Sequence, residues 1–233
     1  MQMDRDAAKQ AAAEAAVHLI EDGMCLGLGS GSTTAYALEF LGRRIRTDDL
    51  DVRGIATSFA TERRARAHGI PLTSFDDTPT LDLALDGADE VDESFRLIKG
   101  GGGAHAREKV VAHQADRFAV LVDPTKAVDR LGTQFPVPVE VLPMAATPVM
   151  QALEDVGASP ELRTAEAKDG PVVSDQGLWI VDAYFPDGLS APDDLSRMLC
   201  ARPGVLDHGL FLDMATDVLL GHPDGSVEHR STP

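Results

Sequence analysis

The stretch Met24–Leu41, MCLGLGSGSTTAYALEFL, decides the class of fold. Its first five residues form a short apolar run of the kind found in a strand buried on both faces. Glycines alternate next, at Gly27, Gly29 and Gly31, and Ser30, Ser32 and Thr33 carry the loop onward. Tyr36, Leu38, Phe40 and Leu41 then follow a helical pattern. The reading is strand, glycine loop, helix.

Working outward, the pattern repeats. Upstream, Ala8, Ala11, Ala12, Ala15, Ala16 and Leu19 keep helical spacing, and Gly23 fits as a stop. Downstream, Val52 to Thr57 is a strand and Thr61 to His68 a polar-faced helix ended by Gly69. Ile70 to Phe75 is extended. Leu81, Leu83 and Leu85 alternate along a strand that runs into Asp86. Ala104 to Ala115 is a helix, and Phe118 to Val122 a strand ending at Asp123-Pro124-Thr125-Lys126. Strands alternating with helices imply an α/β fold with a parallel sheet covered on both faces.

After Gly132 the order changes to β-α-β-β-α-β, the signature of a ferredoxin-like unit. Val137 to Leu142 opens it, with Pro136, Pro138 and Pro143 read as an edge or border. Ser174-Asp175-Gln176-Gly177 gives a hairpin signal. The expected organisation is a parallel-sheet α/β domain from residues 1–134 and 209–233, and a smaller ferredoxin-like α+β domain over 135–208. Pro223-Asp224-Gly225 makes a turn in a tail that returns to the first domain.

Composition narrows the partners. The net charge of −17 over 233 residues argues against nucleic acid and anionic membrane, both of which demand positive surface. Lysine is confined to Lys9, Lys99, Lys109, Lys126 and Lys168. An acidic, lysine-poor surface fits a protein working in high salt, where screening relieves self-repulsion; an ordinary acidic protein is the alternative. Cys25 and Cys200 lie far apart with no metal or redox spacing, which points to reduced thiols and a cytoplasmic setting. No signal pattern and no apolar run of membrane-spanning length is present.

Several polar positions directly follow strands: Gly29 to Thr33, Thr57-Ser58, Asp86, Lys99 and Asp123 to Lys126. In an open parallel sheet the carboxyl ends of the strands line the ligand crevice. The loop Ser30-Gly31-Ser32-Thr33 can aim N–H groups and hydroxyls at an anion on the positive end of the next helix. It matches neither the dinucleotide fingerprint nor the P-loop. A tight turn with serine caps is the bland alternative.

A second stretch, LDGADEVDESFRLIKGGGGAHAREK (85–109), gathers the titratable groups. Ala104, Glu108, Val111, Ala112 and Ala115 share one helical stripe, so Glu108 faces inward among apolar neighbours. Desolvation there suits a carboxylate to general-base work; a capping glutamate or an ion pair with Arg107 or Lys109 is the alternative. Asp86 and Asp89 flank Gly87-Ala88 at a strand end and either move protons or form a turn. Lys99, ahead of Gly100, Gly101 and Gly102, offers a cation and amides to a developing oxyanion. Lys126 is a candidate phosphate contact. His105 and His113 are expected at the surface. No metal site is expected, because no His stands at ligand spacing and Lys99 would compete with a cation.

These motifs resemble the ribose-5-phosphate isomerase type A family, through Gly27–Thr33, LDGADEVD (85–92), IKGGGGAHAREK (98–109), DPTKAVDRLG (123–132), PVPVEVLPMA (136–145) and GHPDG (221–225). The resemblance implies a Rossmann-like first domain and a ferredoxin-like second one. It also implies aldose–ketose isomerisation of ribose 5-phosphate through an enediol(ate), without an essential metal or redox cofactor, in a homodimer or homotetramer. It gives Glu108 the role of base and Asp86 that of assisting ring opening. It implies that Asp89 and Lys99 hold hydroxyls and stabilise the enediolate. Ser30, Gly31, Ser32, Thr33, Gly87, Ala88, Gly100, Gly101, Gly102 and Lys126 become substrate contacts. A sugar-phosphate-binding regulator, an amino-sugar phosphate deaminase and a CoA transferase are the competing readings.

Overall fold

The computed structural model describes residues 2–165 and 169–232, so Lys168 lies outside the described residues. In chain order the elements are α1 (Gln2–Val17), β1 (Cys25–Leu28), α2 (Ser32–Asp48), β2 (Arg53–Ala56), α3 (Phe59–Ala67), β3 (Leu81–Gly87), β4 (Glu90–Val91) and β5 (Leu97–Ile98). There follow α4 (His105–His113), β6 (Ala115–Val122), β7 (Val137–Val141), α5 (Ala146–Asp155), β8 (Ser159–Leu162) and β9 (Trp179–Tyr184). The last are α6 (Pro192–Cys200), β10 (Val205–His208), β11 (Leu210–Phe211), β12 (Asp217–Gly221) and β13 (Val227–Ser231). Two compact units result: Met1–Ala88, Arg107–Ala127 and Asp213–Pro233 form the first, and Asp89–Ala106 and Val128–Leu212 the second.

The first unit is built on a six-stranded sheet in the order β13-β12-β6-β3-β1-β2, parallel except where β13 pairs antiparallel with β12. Parallel strands covered on both faces need apolar residues on both, and Phe118 to Val122 are all buried. Helix α1 is alanine-rich because it lies close to the sheet. A Cβ on Gly221 of β12 would come 2.1 Å from Ala8 O, and Ala8, Ala12, Ala13 and Ala16 are fully buried. Gly27 serves β1 in the same way: its Cβ would meet Val111 Cγ1 at 2.5 Å and Ala84 Cβ at 2.7 Å.

The second unit contains the sequence β7-α5-β8-β9-α6-β10, with its antiparallel sheet ordered β10-β7-β9-β8. That is the ferredoxin-like arrangement. Strand β7 lies in the middle of this sheet, so of the two readings of its prolines the edge fails and the border holds, Pro136 and Pro143 flanking Val137–Val141. Pro138 sits just past the last β10 pair, Val139 with His208, so the ladder is not interrupted there.

The division of the chain also differs from the expected breaks after residues 134 and 208. Residues 89–106 belong with the second unit, where β5 pairs with β4 and β11. The Glu90 carboxylate, fully buried, accepts the N–H groups of Gly132, Gln134 and Phe135 at 2.6, 2.5 and 2.7 Å. A buried carboxylate with three charge-assisted bonds is a strong tie, and it fastens the segment after Ala88 to the chain entering β7.

Candidate active site

In the first unit the loop after β1 is shaped by a carboxylate. Asp86, at the end of β3 and 3% exposed, accepts from Ser30 N–H at 3.0 Å and Gly87 N–H at 2.8 Å through Oδ1. Gly29 must be glycine, because a Cβ there would lie 2.3 Å from Asp86 Oδ1 and 2.5 Å from Leu85 O. Gly31 takes φ 106°, in the region that favours glycine, and α2 starts at the next residue.

The Ser30 hydroxyl turns toward protein. It lies 2.8 Å from Thr57 Oγ1, 2.9 Å from Ser58 Oγ and 3.2 Å from Thr61 Oγ1. Ser30 therefore props the loop against the end of β2 and the start of α3. Gly31 and Ser32 are exposed and Thr33 half-buried at the head of α2, where the first N–H groups of a helix lack internal partners. Lys9 of α1 donates to Ser32 Oγ at 3.0 Å. Sequence reasoning gave Lys9 no role, although its rarity was a signal; only the packing of α1 brings it to the loop.

Helix α4 leads back from the end of β3 to the start of β6, which pair in parallel. It therefore runs against the strands, with its first turn toward their carboxyl ends. Arg107 Nη2 donates to Ala56 O, the last residue of β2, at 3.2 Å, and its guanidinium stacks 5.1 Å from the Phe59 ring centroid. With Val111 packed on Gly27, Glu108 lies one turn closer to the strand ends that carry Gly29 and Asp86. Glu108 is 6% exposed, beside Val111 and Ala112 at 4% and 5%. Of the stripe read from the sequence, Glu108, Val111 and Ala112 lie buried on α4, whereas Ala104 precedes the helix and Ala115, half-buried, already begins β6.

Lys126 follows β6, half-buried, in a turn capped by Asp123, whose Oδ1 accepts from Thr125 N–H at 2.9 Å. Arg5 of α1 reaches the same turn, donating to Thr125 Oγ1 at 3.3 Å. The first unit thus gathers Ser30, Gly31, Ser32, Thr33, Asp86, Gly87, Ala88, Glu108 and Lys126 around the carboxyl ends of its parallel strands.

In the second unit, Asp89 and Lys99 bracket β4 and β5. Lys99 is 3% exposed, its N–H donates to Gly209 O at 2.9 Å, and its ammonium stands 5.4 Å from the Phe211 ring centroid. Asp89 Oδ2 accepts from Gly101 N–H at 2.8 Å. The four glycines form a turn closed by Gly103 N–H to Gly100 O at 2.9 Å. Gly100 and Gly103 have φ 105° and 73°, and a Cβ on Gly101 would meet Asp89 Oδ1 at 2.9 Å. Gly102 alone of the four has open space where a Cβ would stand.

His105 corrects one expectation. It is fully buried, and a Cβ on Gly100 would come 2.7 Å from its Nδ1. Positions 105 and 108 are three apart on α4, so the spacing that turns Glu108 inward turns His105 inward too. His113 is exposed, as expected. The acidic run also sorts itself. Glu90 and Asp92 are structural, Asp92 holding Arg96 Nε at 2.7 Å. Among the described residues no group of three or more His, Cys, Asp or Glu could hold a metal ion, and no helix is long and apolar enough to cross a membrane.

Residues 53–225 match the family model of ribose 5-phosphate isomerase A (phosphoriboisomerase A). The chain belongs to that family. It is 52% identical over 220 residues to ribose-5-phosphate isomerase A of Haloarcula marismortui, covering 94% of each chain. It is 49% identical over 224 residues to the protein of that name from Thermosynechococcus vestitus, covering 95% of this chain and 94% of the relative. A solved D-ribose-5-phosphate isomerase in complex with phospho-erythronic acid superposes with a TM-score of 0.95 at 40% identity, over 98% of this chain and all of the other. The Methanocaldococcus jannaschii ribose 5-phosphate isomerase A gives 0.91 at 40% identity, over 96% and 98%. Membership in the ribose 5-phosphate isomerase A family makes this chain an enzyme and sets aside the regulator, deaminase and transferase readings.

Proposed function

We propose that the chain interconverts D-ribose 5-phosphate and D-ribulose 5-phosphate through an enediolate, with Glu108 as the base. The observation that carries this reading is the Glu108 carboxylate, buried among apolar neighbours on the strand-end side that also carries Asp86 and its amide-rich loop. Glu108 takes the proton from C2 of the open-chain aldose and returns it to C1. A second proton passes from the C2 hydroxyl to the C1 oxygen, so atoms balance without a redox cofactor. Asp86 assists ring opening and this hydroxyl transfer.

Asp89, Lys99 and the amides of Gly100, Gly101 and Gly102 hold the hydroxyls and the developing oxyanion. Gly87 and Ala88 line the sugar with backbone. Ser32, Thr33, Gly31 and Lys126 grip the phosphate, Ser30 shapes their loop, and Lys9 adds a cation beside it. The phosphate grip supplies binding energy that aligns the reacting end.

Incubation of ribose 5-phosphate in D2O tests the reading. Ketose carrying solvent deuterium at C1 is the expected product. Absence of ketose overturns the activity, and sugar phosphate that stays free of carbon-bound deuterium through prolonged equilibration overturns the enediolate, since a base that at first returns its own proton exchanges it over many turnovers.

The same proposal covers the setting: a cytoplasmic homodimer or homotetramer in high salt. Its supports are the charge of −17 and the exposed Leu142, Met144, Val156, Val173 and Leu206 of the second unit. Sedimentation and melting across a KCl series test it; a monomer, or melting indifferent to salt, counts against it.

A further inference from the structure

Arg163 is a residue that none of the motifs singles out. It follows β8, extends its backbone pairing through Arg163 N–H to Ile180 O at 2.8 Å, and its side chain is 15% exposed. Nε and Nη2 donate to the two carboxylate oxygens of Asp182 at 2.7 and 2.5 Å. Nη1 donates to Gly100 O at 2.9 Å and to Gly101 O at 3.1 Å. One guanidinium therefore joins a β9 carboxylate to two successive carbonyls of the glycine turn. Such a planar fork, held on one side, is far stiffer than a lysine in its place.

The consequence follows from peptide geometry. In a planar trans peptide the C=O of one residue and the N–H of the next point in opposite directions. Carbonyls 100 and 101 face Arg163, so the N–H groups of Gly101 and Gly102 face away from it. Gly101 N–H meets Asp89 Oδ2 at 2.8 Å. Gly102 N–H stands in the exposed part of the turn, where an added Cβ touches nothing within 4 Å. A cation behind the two carbonyls also polarises both peptides, which strengthens their N–H groups as donors.

We infer that Arg163, fixed by Asp182, is a positioning residue for the isomerisation: it holds the Gly100–Gly103 turn so that Gly102 N–H is presented to the substrate oxygens and Asp89 keeps its place. This inference rests on the isomerase reading. Arg163 touches no substrate; it acts through the backbone it grips. Because the oxyanion develops only on the way to the enediolate, its loss lowers kcat and leaves KM nearly unchanged.

The test compares wild type with Arg163→Lys, Arg163→Ala and Asp182→Asn, measuring kcat, KM and melting temperature for each. Inhibition by phospho-erythronic acid is measured alongside, since its carboxylate mimics the paired enediolate oxygens. The expected result is a kcat lower by about 10–100-fold in Arg163→Lys with KM within about threefold, a smaller loss in Asp182→Asn, and weaker inhibition in step with kcat. Methylguanidinium is expected to restore part of the turnover of Arg163→Ala and none to wild type, a rescue that a purely structural role would not give. If Arg163→Ala fails to fold, Arg163→Lys and Asp182→Asn decide. A folded Arg163→Lys with unchanged kcat, or a loss confined to KM, overturns the inference while leaving the isomerase reading intact. Absence of turnover in wild type overturns both.

Discussion

Gly29 and Asp86 are matched: the space where a Cβ on Gly29 would stand is filled by the Asp86 carboxyl, 2.3 Å away. The same carboxylate takes Ser30 N–H. The Asp86 carboxylate and the loop proposed to hold the substrate's phosphate are thereby built as one piece, and the glycine is what lets them close.

Gly29→Ala is accordingly expected to damage the site more than the fold. The intruding methyl meets Leu85 O as well as Asp86, so overpacking costs about 1–3 kcal/mol, and the carboxyl swings away from Ser30. Melting should fall by a few degrees while kcat falls at least tenfold. Gly102→Ala is the contrast, since nothing lies within 4 Å of its added methyl; its melting temperature should stay at the wild-type value. Equal melting losses in the two variants would refute the distinction.

Glu108→Gln tests the base. The amide is isosteric in a site only 6% exposed, so fold and substrate binding should persist. Turnover is expected to drop by about 10²–10⁴-fold, the range for a positioned general base, and solvent deuterium should no longer enter the substrate at C2. Single-turnover mixing followed by mass spectrometry gives the answer, and near-normal exchange would remove Glu108 from its role.

How far the sequence displayed all this depends on what each residue touches. The strand–loop–helix of residues 24–41 was legible because a buried parallel strand must be apolar on both faces. Glu108 was legible because its stripe-mates Ala104, Val111 and Ala112 are apolar. The ties of Lys9 to Ser32 and Arg163 to Gly100 were not, since they join residues 23 and 63 positions apart that no local period relates. Glu90 and Asp89 look alike in sequence. Only the structure shows that one is spent on Gly132, Gln134 and Phe135 while the other accepts from the glycine turn at Gly101.

Lys9→Ala and Lys126→Ala separate binding from chemistry. Each removes a cation from the loops proposed to hold phosphate, where Lys9 Nζ lies 3.0 Å from Ser32 Oγ. KM is expected to rise by about tenfold in each, near 1.4 kcal/mol, with kcat changed less. The effect should shrink as KCl rises, because screening weakens a charge–charge grip. An unchanged KM for either variant would take that lysine out of the phosphate site.

Two carboxylates outside the site should give stability opposite pH dependences. Glu140 of β7 is fully buried. Burial pushes its carboxyl up from 4.5, while bonds from Ser174 and Gln176 pull it down only in part. Its Oε2 has no hydrogen-bond partner among the described residues. The folded state therefore holds this proton longer than the unfolded chain does. Stability is fully present below the ordinary glutamate range and falls as pH rises through the raised value. Asp217 of β12 is the reverse. Burial would raise it, but Arg117, Thr216, His229 and Ser231 outweigh that and hold it well below 3.8. Its contribution is complete above 3.8 and disappears as pH falls through the depressed value. Glu140→Gln should thus flatten the loss of stability above pH 4.5 and raise melting at neutral pH. Asp217→Asn should cost about 1–3 kcal/mol at neutral pH and little in strong acid. Urea titrations from strong acid to pH 9 read both, and a Glu140→Gln profile parallel to wild type would show that this carboxyl does not drive the alkaline decline.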